Sequence, residues 1–392
     1  MKKPKDSAIK YVLTALISIL LTAILCFALV WGFLFDDIFL SLKYKEIKNI
    51  IDNNYIGEYD EDAAKDAMFD GFVDSIGDRY SEYYNVEESN EKENATEGRF
   101  YGFGAIVTKH PDNGTIYVKH VYNDGSAAKT GIKDGDEIIS VGEADVKESY
   151  SKALQLLQGL QNETVLIKYL HNGETKSAEI AYSDCTAQSV YYEKISDYGY
   201  IEIISFNGAT VNQFKDAVDN LVSDSVKGLI FDLRDNGGGT VDSVCEMLDY
   251  ICPQGDLMYA KYGSEGEKKV LKKSDAEHNI ELNMAVIVNG STASASEIFA
   301  ANIRDFSKGV LIGETTFGKG VMQLSFKLTD GSTVKTTVAE VFPHSGNSYN
   351  GKGLKPDIEV NLTEEQENRI VLLKGDNNPY ISAALEYLKN EK

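Results

Sequence analysis

Residues 285–324 read AVIVNGSTASASEIFAANIRDFSKGVLIGETTFGKGVMQL. The run 285–288 is apolar, too short for a helix and closed by Asn289-Gly290, which makes it a buried strand. From Glu297 onward Ile298, Phe299, Ala300 and Ile303 recur at helical spacing, so the serine-rich turn 291–296 sits where a strand becomes a helix. The N–H groups of a helix's first turn have no partner inside the helix and carry partial positive charge. A serine in this turn therefore lies beside a ready site for a developing oxyanion, which is a sensible place for a nucleophile.

A serine hydroxyl becomes a useful nucleophile only when a neighbouring base takes its proton. The chain has five histidines, His110, His120, His171, His278 and His344. The first three fall in a segment read below as a binding domain, and neither His278 nor His344 has an acidic partner in a recognisable motif. Lys319, in the glycine-flanked sequence FGKG at 317–320, is the better candidate. At a reference pKa of about 10.4, only about one lysine in 2,500 is neutral at pH 7, so such a base needs partial desolvation. Flanking glycines and an apolar strand can supply it. Gln323 lies four residues on, on the face of Val321 if 321–327 is a strand, where it could hold the amine by a hydrogen bond.

TASASEIFAANIRD at 292–305, followed by GETTFGKGVMQ at 313–323, resembles the signature of the carboxyl-terminal processing peptidases, or tail-specific proteases. These are serine endopeptidases that use a Ser-Lys pair and carry a PDZ domain. The resemblance implies that Ser294, the middle serine of SAS, is the nucleophile, Lys319 the general base and Gln323 the third member, with Asp305 as a supporting residue. Two long segments at the family's separation carry a specificity that one alone would lack. Ser291 and Ser296 fit a helix cap and a first-turn residue, the reading Ser294 would also receive without Lys319 and Gln323. A rival is the near-match of 313–319 to a phosphate loop. Position 320 is glycine where that loop needs Ser or Thr, and 321–328 alternates like a strand where it needs a helix, so the nucleotide reading fails. Ser149-Tyr150-Ser151-Lys152 also matches S-x-x-K but lies in a polar helix of the other domain, where chance explains it.

With 392 residues there is room for two or three domains, and a net charge of −22 argues against nucleic acid as a partner. The four cysteines make a poor disulfide framework: Cys26 lies in an apolar run, Cys245 and Cys252 fall on one apolar helix face as core residues, and Cys185 stands alone. No C-x-x-C pair or histidine cluster suggests a metal, and no cofactor is expected. Residues 11–35 carry no charge and would span about 37 Å as a helix, enough for a bilayer. Lys2, Lys3, Lys5 and Lys10 precede this run, while Asp36 and Asp37 follow it. The positive-inside rule then puts the tail 1–10 in the cytoplasm and everything after the anchor outside, in a single-pass protein of the cell membrane. The long apolar core and the lack of a clear A-x-A site favour an uncleaved anchor over a cleaved signal.

Residues 36–98 read as a helical region and linker. Leu40, Leu42, Ile47, Ile50 and Ile51 form one apolar stripe, and Ala63, Ala64, Ala67, Met68 and Phe72 another. GFVDSIGDRYSEYY at 71–84 resembles the family's segment before its binding domain, where such helices pack on the core or on a second subunit, so a homodimer is allowed. The acidic stretch 86–98 reads as a mobile polar linker.

Residues 99–183 change to short strands and turns, and Tyr101-Gly102-Phe103-Gly104 together with GSAAKTGIKDGDEIISVGEADV at 125–146 resembles a PDZ domain. That resemblance implies backbone N–H groups of 101–104 on a peptide's terminal carboxylate, Phe103 lining the pocket, and Leu154 and Leu157 of a helix 150–159 opposite. At Gln158-Gly159 many relatives carry arginine before the glycine, so coupling through that arginine is not expected here.

The remainder, 184–365, reads as the protease core, with 366–392 a C-terminal helical segment. YIEIISF at 200–206 and KGLIFDL at 227–233 are strands, and Thr210 to Val222 has helical spacing. The second strand runs into DLRDNGGG at 232–239, which is similar to the family's D-L-R-x-N-x-G-G element. By that likeness the N–H groups of Gly238 and Ala295 form the oxyanion hole, while Asp232 and Arg234 pair or cap. Strands at 321–328 and 333–342 form a hairpin through Asp330-Gly331. GKGLKPD at 351–357 resembles the stretch that closes the family's core, and 378–390 is a terminal helix. The fold class is α+β, a mixed α/β protease core with an inserted β-rich PDZ domain, an N-terminal helical region and one transmembrane helix. The expected function is a membrane-anchored, extracytoplasmic serine endopeptidase that takes proteins with exposed apolar C-termini. The alternative is a PDZ scaffold with a decayed protease core that binds tails without cutting them.

Overall fold

The computed structural model describes residues 5–158, 164–275 and 277–391. The chain divides into two units, Met1–Met68 and Phe69–Lys392. The first is dominated by one helix, Lys5–Asn54, uninterrupted by proline. Its stretch Lys10–Ala28, with mean hydropathy 2.4, is long and apolar enough to cross a membrane, as an anchor or a signal sequence would be. Tyr11, Val12, Leu13, Ile17 and Leu21, which point in all directions at 100° per residue, are all exposed, so the apolar surface runs right round the helix. The expected anchor and the helix after it are one continuous element, in which Leu40, Leu42, Ile47 and Ile50 are also exposed.

The second unit is built on a six-stranded sheet. Its strands, in spatial order, are Val190–Ile195, Tyr198–Ile203, Gly228–Asp232, Asn283–Val288, Gly309–Gly313 and Ile358–Glu359. The first pair is antiparallel and the rest are parallel. Gly228–Asp232 is buried at every position, as expected of a parallel strand covered on both faces. Helices Thr210–Ser223, Val241–Ile251 and Ala295–Asp305 cover one face around Phe206, Phe214, Phe231 and Phe299. The C-terminal helix Pro379–Asn390 covers the other, laying Tyr380, Ile381, Ala384, Leu385 and Leu388 on Ile230, Ala285, Ile287 and Ile312. The carboxyl ends of the parallel strands release the loops 233–240, 289–294 and 314–320 on one edge, where open α/β sheets place their sites.

A second sheet centres on the long strand Thr333–Phe342. It pairs with Val321–Lys327, with Glu82–Tyr84 at its start and with Gly255–Tyr262 at its end. The segment expected to be a PDZ domain has its own core, with Phe103, Ile116, Val118, Ile138, Leu157, Ile167 and Ile180 buried together. Chain enters and leaves it through the antiparallel pair Arg99–Gly102 and Ser183–Thr186. Its strand Ala105–Lys109 lies at a sheet edge. The domain is tied to the six-stranded sheet by Lys119 and His120 on Glu202, and to the C-terminal segment by Asp112 on Arg369.

The stretch 86–98 departs from expectation. It is not a loose linker but a helix, Val86–Glu97, closed at both ends. Asn85 and Glu88 form a capping box, and Gly98 ends the helix in the left-handed region. Ser89 Oγ, 2.6 Å from Thr333 Oγ1, docks it on the hairpin. Composition marked the segment as polar, whereas local capping chemistry decides its conformation.

Candidate active site

The turn after strand Asn283–Val288 is laid against the glycine loop by its backbone. Thr292 Oγ1 donates to the Leu233 carbonyl at 2.8 Å, and the Ala293 N–H donates to the Asn236 carbonyl at 3.1 Å. Ser296, buried in the first helical turn, donates to the same Asn236 oxygen at 2.9 Å. The helix cap is Ser294 itself, not Ser291, which is exposed on the turn. Ser294 has φ 59° and ψ −116°, a conformation that costs a residue with a side chain about 1–3 kcal/mol and persists only when its surroundings fix it.

Glu297 does the fixing. It is fully buried, and both carboxylate oxygens are filled. Oε2 accepts the Ser294 N–H at 2.9 Å and the Lys319 N–H at 2.8 Å. Oε1 accepts the Thr316 hydroxyl at 2.5 Å and the Gly318 N–H at 2.8 Å. Two residues 25 apart in sequence thus share one oxygen atom, and the serine loop and the lysine loop are neighbours through it. Gly318, at φ +88°, leaves no room for a side chain, because a Cβ there would come within 2.7 Å of the Gly353 nitrogen. The 351–357 stretch therefore closes the core directly against the lysine loop, with the Gly351 N–H donating to the Gly318 carbonyl at 2.8 Å.

The Lys319 side chain is half-buried. Burial pushes its amine below the ordinary lysine value, and nearby Lys335 adds to this; Glu82 and Asp78 oppose it, and Arg79 assists. The amine lies 4.6 Å from the centre of the Tyr80 ring and makes no hydrogen bond to Ser294 Oγ. Gln323 donates from Nε2 to Thr337 Oγ1 at 3.1 Å rather than to the amine. A bulge between Met322 and Gln323 shifts the register just where simple alternation would have put Gln323 on the face of Val321.

Gly238, at φ +105°, packs against the helix start: a Cβ would lie 3.0 Å from both the Ala295 nitrogen and Ser294 Cβ. Its N–H donates to Asn236 Oδ1 at 2.9 Å. The Ala295 N–H belongs to the first turn, where a helix offers no internal acceptor. Arg234 is paired with Asp232 at 2.6 Å and capped by the Tyr380 ring. Asp305 holds the Ser345 N–H at 2.9 Å, away from the serine. His344 bonds the Asp256 carbonyl and His278 lies on Tyr250. Among the described residues, no cluster of His, Cys, Asp or Glu is placed to hold a metal. In the PDZ domain Phe103 and Leu157 are buried in the core, with Tyr101 and Leu154 packed against it. Gly102 sits by the end of helix Tyr150–Gln158, and Gly159 lies outside the described residues.

Residues 197–360 match the profile of peptidase family S41, and residues 91–181 that of the PDZ domain. The chain is 33% identical over 329 residues to the carboxy-terminal processing protease CtpA of Bacillus subtilis (strain 168), covering 83% of this chain and 69% of that protein. The chain belongs to the carboxy-terminal processing proteases of family S41. A CtpA-like serine protease of Staphylococcus aureus (strain COL) is 28% identical over 331 residues, which cover 84% of this chain and 66% of that one. The fold is shared with an S41 protease from Bacteroides fragilis, at TM-score 0.60 and 19% identity over 82% of this chain and 90% of that chain. A photosystem II D1 C-terminal processing protease gives TM-score 0.51 and 24% identity, over 86% and 92%. As an S41 member this protein is a serine endopeptidase of the C-terminal processing type with a PDZ domain.

Sequence reasoning missed Glu297, Tyr80 and Asn236. Glu297 had a readable signal: Ser294-Ala-Ser-Glu297 spells a capping box. Nothing local marks Tyr80, which comes from a segment more than 200 residues upstream of the serine.

Proposed function

We propose that this S41 protease cleaves near the C-termini of proteins through Ser294 and Lys319. The observation that carries the reading is the Glu297 oxygen shared by the backbones of those two residues. The neutral Lys319 amine takes the Ser294 proton as Oγ attacks the peptide carbonyl. The resulting ammonium protonates the departing amine, leaving an acyl-enzyme, and water activated by the same amine then releases the acyl group. The Ala295 N–H meets the oxyanion, and Gly238 adds its own once Asn236 Oδ1 lets it go. Gln323 completes the set by orienting the amine.

The substrate tail adds as a strand along the PDZ edge Ala105–Lys109, with its carboxylate at 101–104 and an apolar last side chain toward Leu154 and Leu157. The helix through Lys10–Ala28 anchors the protein in the cell membrane, N-terminus in the cytoplasm and protease outside, as the lysines before it and Asp36 and Asp37 after it support. A homodimer through 36–98 belongs to the same reading and is tested by sedimentation.

The test uses the full chain in detergent with an unstructured polypeptide ending in apolar residues, and products are weighed by mass spectrometry. Fragments appear with the natural sequence and vanish in Ser294→Ala and Lys319→Ala, whose circular dichroism is unchanged. Turnover at the natural rate by either variant overturns the assignment.

A further inference from the structure

The segment Asp78-Arg79-Tyr80-Ser81 has no assigned task, yet it forms a wall of the site. We propose that Tyr80 is a positioning residue for Lys319: its ring face holds the protonated amine away from Ser294, and the amine leaves the ring to take the serine proton. The inference rests on Lys319 being the base.

Three observations carry it. The amine stands 4.6 Å from the ring centre and, among the described residues, makes no salt bridge or hydrogen bond of its own, so the ring is its partner in this structure. The ring is itself held. Arg79 donates to the Tyr80 hydroxyl, Ser81 Oγ donates to Asp78 Oδ2 at 2.6 Å, and the Thr337 N–H donates to Ser81 Oγ at 3.3 Å. Strand Glu82–Tyr84 continues the segment by pairing with residues 333–335. Finally, the strand that fixes Tyr80 also fixes Gln323, whose amide donates to Thr337 Oγ1. One strand, Thr333–Phe342, therefore holds both the Tyr80 segment and Gln323.

The physical content is selectivity for charge. An aromatic face attracts an ammonium through its quadrupole and offers a neutral amine little. Tyr80 thus binds the form of Lys319 that cannot act as a base and releases the form that can. The charged and titratable groups around the amine are Asp78, Arg79 and Glu82 on the upstream segment, Lys335 on the long strand, and Glu297, which takes the Lys319 backbone N–H. Lys335 is neutralised in part by Glu82 at 2.8 Å.

The test compares Tyr80→Phe and Tyr80→Leu in the full chain. One readout is the pH profile of kcat/KM. The other is the titration of the Lys319 amine by NMR of carbon-13-methylated lysines in a Ser294→Ala background, with Lys319→Arg assigning the signal. Phe keeps the ring face and leaves both readouts unchanged. Leu removes it, so the amine titration and the acidic limb move down together by about half to one and a half pH units. If Tyr80→Leu unfolds, pentafluorophenylalanine at position 80 keeps the shape, reverses the ring's quadrupole and gives the same downward shift. A titration that stays put or moves up with Leu or the fluorinated ring, or a Phe variant that moves as far as Leu, overturns the proposal. The amine titration needs no turnover, so it reads the ring's effect even if Lys319→Ala proves active and the base assignment falls.

Discussion

Replacing Glu297 by glutamine tests whether the two loops are held together as the geometry says. Each carboxylate oxygen receives two donors, Ser294 and Lys319 N–H on Oε2, Thr316 hydroxyl and Gly318 N–H on Oε1. In Glu297→Gln one oxygen becomes an NH2 group: in the Oε2 place it faces two N–H donors and two bonds are lost, and in the Oε1 place it faces the Gly318 N–H while the Thr316 hydroxyl can turn to accept, so at least one bond is lost in a fully buried site. Hydrogen bonds to a charged group are worth about 1.5–3 kcal/mol each, which puts the loss at about 1.5–6 kcal/mol, against a total stability of about 5–15 for a domain. Part of the loss is global and part is local opening of the two loops. If about 2 kcal/mol of it falls on the alignment of Ser294 with Lys319, kcat/KM drops about 30-fold. Urea unfolding followed by circular dichroism reads the first, and cleavage of the unstructured polypeptide reads the second. A Glu297→Gln protein with the natural unfolding midpoint and natural kcat/KM would refute the idea that this carboxylate ties the loops.

Three further outcomes follow from particular contacts. Lys335→Met removes a positive charge that holds the Lys319 amine down and leaves Glu82 without its partner, so the acidic limb of the kcat/KM profile moves to higher pH; an unmoved limb rejects this electrostatic account. Gly318→Ala puts a Cβ at φ +88° and within 2.7 Å of the Gly353 nitrogen, so it destabilises by about 2 kcal/mol or more in urea unfolding, with Gly346→Ala, which meets nothing, as the milder control. His120 bonds Asp134 and Glu202, stacks on Tyr191 and lies beside Lys119. Burial disfavours its charge, but the two carboxylates outweigh that and raise its pKa, while Glu202 is held below its ordinary value despite its own burial. The His120 contribution is therefore complete below its unfolded value of about 6.5 and fades as pH rises through the raised folded one. The Glu202 contribution is present above about 4.3 and fades as pH falls through its lowered one. Hydrogen exchange in Ile116–Val121 and Tyr198–Ile203 should quicken as pH climbs past that upper limit, beyond the intrinsic rise, and His120→Gln should abolish the extra dependence.

The serine and lysine loops were legible because their chemistry is local. A buried strand, a serine turn and a helical stripe stand in consecutive residues, and FGKG announces a backbone that must approach another one closely. The PDZ strands and the hairpin through Asp330-Gly331 were readable for the same reason, since period-two patterning and turn chemistry act over a few residues. What escaped was long-range or sub-residue in scale. The bulge before Gln323 moves a side chain by one register step that no alternation pattern reveals. The Asn236 side chain, by accepting the Gly238 N–H and donating to the Ile203 carbonyl, changes what an otherwise recognisable glycine loop offers. The helix at 86–97 was hidden by its acidity, although Asn85-x-x-Glu88 was there to be read as a capping box.

The order of segments along the chain has a mechanical consequence. Tyr80 touches the lysine amine, strand Glu82–Tyr84 fastens that segment to residues 333–335, and helix Val86–Glu97 then leads into strand Arg99–Gly102 of the PDZ domain. The same helix is pinned to the protease core at three points, Ser89 on Thr333, Glu93 on Lys327 at 3.0 Å, and the Thr96 carbonyl, which accepts the Gly208 N–H. A binding domain inserted at this point is covalently in series with the wall of the site, not attached at a remote corner. Breaking the Ser89 contact with Ser89→Ala removes one of these pins while touching neither Ser294, Lys319 nor the PDZ groove. The replacement deletes only a hydroxyl partner, costing about 1 kcal/mol. If the wall is fixed independently of the helix, the acidic limb of the cleavage profile stays where it is; if the helix holds the wall, the limb moves toward the position found for Tyr80→Leu.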